Sequence, residues 1–110
     1  MAYTIDSILN DPLITVIARD DEMGSFAIKI GTLKTIITIE LGRYHTTETT
    51  KFKLSHAIHT PEQAGPYITS NPSGDYWEYA LHRAINGLIS YYKSAVNAGC
   101  QPKESWLKEV

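Results

Sequence analysis

Cysteine is almost missing from this chain: Cys100 is the only one in 110 residues. No intramolecular disulfide can form, so the fold must be held by burial. A lone thiol suits a reducing compartment and predicts an intracellular protein. Long apolar runs are missing too, none approaching the ~18 consecutive residues of a membrane span. The opening Met1-Ala2-Tyr3-Thr4-Ile5-Asp6 has neither the basic nor the apolar region of a signal peptide. A cytoplasmic location with no membrane partner is the expectation. Charge of one sign is not in excess, since 10 Lys and Arg against 12 Asp and Glu leave a net charge of −2. That excludes a generically basic nucleic-acid binder, though not a local basic patch.

Catalytic and cofactor signatures are absent as well. Among His45, His56, His59 and His82 there is no helical pair at i, i+4, and no cysteine pair exists, so the zinc templates fail. No glycine-rich loop joins a strand to a helix for a phosphate, and no nucleophile elbow surrounds a serine. Cys100 falls just past a helix end, where the macrodipole opposes the thiolate that nucleophilic chemistry needs. Asp20-Asp21-Glu22 reads as a solvated acidic turn. The expectation is a protein that is not an enzyme and uses no cofactor or metal.

What is present is an ordinary globular composition, with 43% hydrophobic and 20% charged residues. A chain of this length makes one domain, residues 1–110, and can bury roughly two thirds of the surface it exposes when unfolded. Thr4 is a candidate N-cap for a short helix carrying Ile5, Ile8 and Leu9, which Pro12 stops from extending. Leu13 to Arg19 reads as a strand apolar on both faces, which predicts a position away from a sheet edge or under a cover. Phe26 to Ile30 and Leu33 to Leu41 flank Gly31-Thr32, predicting a two-residue type II′ hairpin that sets Ile30 opposite Leu33, Lys29 opposite Lys34 and Phe26 opposite Ile37. Lys51 to Ile58 alternates as a fourth strand, with Phe52, Leu54 and Ile58 inward.

Pro61, Gly65, Pro66, Asn71, Pro72 and Gly74 mark an irregular crossover. A long helix then begins near Asp75, with Asp75 and Glu78 as a capping-box-like pair. Trp77, Ala80, Leu81, Ala84, Ile85, Leu88, Tyr91, Tyr92 and Ala95 share one stripe of it, and Gly99 supplies the C-terminal cap. Trp106 and Leu107 are expected to tuck back onto the domain. A one-sided sheet and a one-sided helix each need a cover, and each covers the other. The predicted class is α+β: an antiparallel four-stranded sheet packed on one long C-terminal helix, with short terminal helices.

Two surfaces are candidate binding sites. On the outward sheet face, strand parity gathers Lys29, Lys34, Lys51 and Lys53, suited to an acidic protein partner or to nucleic acid, although no outward aromatics offer base stacking. Around the start of the long helix, Tyr67, Tyr76, Tyr79, His82, Arg83 and Asn86 form an aromatic and polar cluster. Tyr and Arg are typical of binding hot spots. The leading expectation is a non-catalytic interaction protein binding another macromolecule, a type common among phage and mobile-element products that inhibit host defences, with room for a homodimer. The alternative is a protein that sequesters a nucleotide-like anion, with Tyr76 and Tyr79 stacking on a base and Arg83 holding a phosphate.

Overall fold

A computed structural model of the chain describes residues 4–43, 50–65, 73–74 and 77–110. Helix α1 (Ile5–Leu9) starts at Thr4, whose side chain accepts from Ser7 N–H while Ser7 Oγ accepts from Thr4 N–H. This reciprocal cap satisfies two donors that a helix start leaves open. Strands β1 (Ile14–Asp20), β2 (Ser25–Ile30), β3 (Ile37–Arg43) and β4 (Thr50–Leu54) pair antiparallel in chain order, and a two-residue strand, β6 (Ser73–Gly74), extends the sheet beyond β4. Strand β5 (His56–Ile58) leaves that sheet and pairs with β7 (Leu107–Glu109).

Helix α2 (Trp77–Asn97) lies across the inner sheet face. Phe26, Ile28, Ile30, Ile37 and Ile39 from the sheet are almost completely buried, as are Ala80, Leu81, Ala84, Leu88 and Ala95 from the helix. Each large apolar side chain so buried contributes about 1.5–3 kcal/mol, against a net stability of roughly 5–15 kcal/mol for a whole domain. The α+β layering expected from the sequence is therefore what the structure has. Helix α1 packs beside α2, and Ile89 joins the core outside the expected stripe. The helix ends in a Schellman motif: Gly99 N–H donates to the Val96 carbonyl and Cys100 N–H to the Ala95 carbonyl, with Gly99 at φ 91°. Trp106 and Leu107 are buried, Trp106 meeting Tyr92 edge-on at 5.8 Å between ring centroids.

Three expectations need correction. The first concerns the β2–β3 hairpin. Ile28 pairs with Ile37 and Phe26 with Ile39, two positions beyond a two-residue turn, so Lys29 sits opposite Thr15 of β1 and not opposite Lys34. An even shift preserves which side chains face inward. Its cause lies far along the chain, where the Glu104 carboxylate takes the N–H of Lys34 at 2.9 and 3.0 Å, the N–H of Thr35 at 3.0 Å and the Thr35 hydroxyl at 2.7 Å. Those amides are held by a side chain and do not join the ladder. The Gly31-Thr32 turn itself is as expected, with Leu33 N–H donating to the Ile30 carbonyl at 3.0 Å and Gly31 at φ 54°, where a Cβ would also run into the Tyr92 hydroxyl.

The second correction is that β1 is an edge strand, half-exposed at Ile14 and exposed from Thr15 to Asp20. Its apolar faces arise from a protruding ribbon, kinked by a register shift between Val16 and Ala18, and such a kink with a charged Arg19 blunts an open edge. The third is that Lys51 to Ile58 is not one strand. At Ser55 the chain turns out of the sheet, which buries Ala57 together with Ile58 where alternation predicted Ala57 outside. The capping pair at Asp75 and the 43–49 connection fall largely outside the described residues.

Two outcomes follow from this packing. Leu88→Asp puts a carboxylate into a site 2% exposed, at a cost that exceeds what the domain has to spare; thermal melts are expected to lose their cooperative transition, and a sharp melt like that of the parent contradicts the packing. The second concerns acid. The Lys34 N–H first, then the Thr35 hydroxyl, hold the Glu104 carboxyl below the ordinary glutamate value of 4.5. A lowered folded value means the stabilisation is complete above 4.5 and is lost as pH falls through the folded value. Glu104→Gln is therefore expected to be less stable at neutral pH and to lose less on acidification below pH 4.5, read by urea melts; parallel pH profiles contradict the clamp.

Candidate functional site

The break between β4 and β5 creates the cleft that is the candidate site. Ser55 N–H donates to the Thr38 carbonyl of β3 at 3.0 Å, while the Ser55 carbonyl accepts from Val110 N–H, beyond β7, at 3.1 Å. One residue thus ties the chain to both sheets. Its side chain completes the switch, because Ser55 Oγ accepts from Thr38 N–H at 2.9 Å in place of a ladder carbonyl. Where the two sheets part, a gap of about 420 Å³ opens against α2.

Phe52, Leu54 and Ala57 supply its apolar wall on the sheet side, with Leu88 across from them on the helix. The polar lining is Lys53 and His56 from the strands, and Tyr79, His82, Arg83 and Asn86 from α2. The helical four recur at spacings of three and four residues, which places them along one flank of the helix. Tyr79 and His82 stack, with centroids 6.1 Å apart and planes at 22°. Burial pushes the His82 imidazole below the ordinary value of 6.5, so it is neutral at pH 7. Among the described lining residues there is no Asp or Glu side chain. A cleft that offers cationic and N–H donors beside an apolar wall suits a small anion with a hydrophobic or aromatic part.

Of the helix cluster read from the sequence, the structure gathers Tyr79, His82, Arg83 and Asn86 into this one cleft. Tyr67 and Tyr76 lie outside the described residues. Phe52, Leu54 and His56 are site residues that alternation alone hides, because it places them at core-facing positions of one unbroken strand. The signal that could have found them is Ser55, a small polar residue with its own backbone-bonding capacity in the middle of the β run.

The lysine face is less concentrated than parity implied. Lys29 is half-buried, Lys51 and Lys53 are exposed, and Lys34 lies in the connection between β2 and β3, outside the paired strands. Glu40 stands directly across from Lys53, which offsets part of the positive field on that face.

A second hollow, of about 370 Å³, lies between α1 and α2 and shares His82 and Asn86 with the cleft. Lys93 and Asp11, 3.7 Å apart, are both in its lining. For chemistry, the contact of Ser55 Oγ with His56 Nδ1 at 2.7 Å brings a hydroxyl to an imidazole. No carboxylate among the described residues is hydrogen-bonded to that ring to complete a triad. No group of three His, Cys, Asp or Glu among the described residues is placed to hold a metal ion. No described helix is long and apolar enough to cross a membrane. The chain matches no protein-family model, no curated protein and no solved structure, so the reading of the site rests on its geometry.

Proposed function

We propose that this protein is a non-catalytic binding protein whose cleft between α2 and the β4–β5 break sequesters a small nucleotide-like anion. The observation that carries this reading is the convergence of Arg83 and His56 with Tyr79 and Phe52 around one concave gap of about 420 Å³. That volume falls in the range of roughly 300–1,000 Å³ typical of small-ligand sites. A guanidinium favours the phosphate, and the aromatic and aliphatic wall favours the base.

A second reading keeps the macromolecular partner. It is favoured by Lys29, Lys51 and Lys53 on the outward sheet face and by the exposed β1, where Val16 and Ile17 are 40% and 45% accessible. An acidic protein partner is the better fit to this face than nucleic acid, since the face presents no aromatic ring for base stacking among the described residues. An accessory or inhibitor role against a host protein belongs to this reading.

The two separate in a thermal-shift screen. A nucleotide at 100 times its Kd adds ~2.7 kcal/mol, which for a domain of this size raises the melting temperature by roughly 10–20 °C. Arg83→Ala is expected to abolish that shift and Lys51→Glu to leave it unchanged. No shift with any mono-, di- or cyclic nucleotide contradicts the cleft reading and leaves the sheet-face reading standing.

A further inference from the structure

The hydrogen-bond chain behind the cleft assigns a specific job to His56. Ser55 Oγ already accepts the Thr38 N–H at 2.9 Å and lies 2.7 Å from His56 Nδ1. A hydroxyl has one proton to give. Among the described residues its acceptor is Nδ1, and donating there leaves the neutral ring with its proton on Nε2. The order Thr38 N–H to Ser55 Oγ–H to His56 Nδ1 is then anchored on the backbone of β3 and ends in a half-buried ring in the cleft wall. Because Nδ1 is occupied, only Nε2–H is left to meet a ligand.

We infer that His56, locked by Ser55 as the Nε2–H tautomer, is the specificity-determining donor of the cleft, and that it distinguishes the phosphorylated ligand from its unphosphorylated counterpart. This rests on the reading of the cleft as a nucleotide-like anion site. A guanidinium such as that of Arg83 attracts negative charge from a distance, whereas a ring fixed at both its backbone and its Nδ1 offers a donor in one direction. Such a donor rewards an acceptor oxygen at one position. A phosphomonoester provides a charged one, where the free nucleoside has only a neutral hydroxyl.

The test exploits the two amides that mimic the two ring nitrogens. Glutamine places its NH₂ near the position of Nε2, and asparagine places its NH₂ near that of Nδ1. Affinities of ribonucleoside monophosphates and of the matching nucleosides are measured by calorimetry for the full chain and for His56→Gln and His56→Asn. The parent is expected to prefer the monophosphate. His56→Gln is expected to keep that preference, and His56→Asn to lose about 10- to 100-fold in monophosphate affinity with nucleoside binding unchanged. Equal monophosphate preference in all three overturns the inference while the cleft reading survives. Absence of monophosphate binding by the parent overturns the cleft reading and the inference with it. Nitrogen NMR of the His56 ring supplies a readout independent of binding: a protonated Nε2 is expected, moving toward a tautomer mixture in Ser55→Ala, and a protonated Nδ1 in the parent overturns the assignment.

Discussion

The apolar seam between α2 and the inner face of the sheet fixes everything else in this molecule. With no disulfide to help, the chain relies on Phe26, Ile28, Ile30, Ile37 and Ile39 sharing one buried core with Leu81, Ala84 and Leu88. Residues packed this tightly sit close to the density of organic crystals. The helix therefore has one rotation about its axis, and that rotation carries Tyr79, His82, Arg83 and Asn86 to the flank where the sheet parts. The cleft is a by-product of the seam's geometry plus one local event, the turn-out at Ser55.

Two side chains manage the places where backbone pairing stops. Glu104 gathers the amides of Lys34 and Thr35, and Gln63 does comparable work in the turn after β5, accepting Thr60 N–H through Oε1 while its amide donates to the Ile58 and Gly65 carbonyls. Buried or half-buried backbone groups cost free energy unless paired. Polar side chains at these positions let strands end without leaving donors stranded. Ser55 belongs to the same class, and its hydroxyl links this structural need to the wall of the binding cleft.

How much of this was legible in the sequence depends on how local each cause is. Helix α2 was legible because its stripe repeats at 3.6 residues over six turns, and because Gly99 marks its end. The inward parity of Phe26, Ile28, Ile37 and Ile39 was legible from alternation. The hairpin register was not, because Glu104 acts on Lys34 across 70 positions, and no pattern near Gly31-Thr32 reports it. The edge position of β1 was hidden for another reason: Val16 and Ile17 look the same in a strand that is covered and in one that is not. Of the site, the helical half could be read from spacing along α2, whereas the strand half depended on seeing that Ser55 bends the chain and brings His56 to face Arg83's side of the gap.

The most direct examination of the seam is native-state hydrogen exchange resolved by residue. If α2 and the sheet form one cooperative unit, amides of α2 around Leu81 to Leu88 and those of β2 and β3 exchange only through global unfolding and report one common free energy, while the outer amides of β1 open far more readily. Exchange of the α2 amides at a free energy well below that of β2 and β3 would mean that the helix undocks on its own, and that the cleft it walls has no fixed shape.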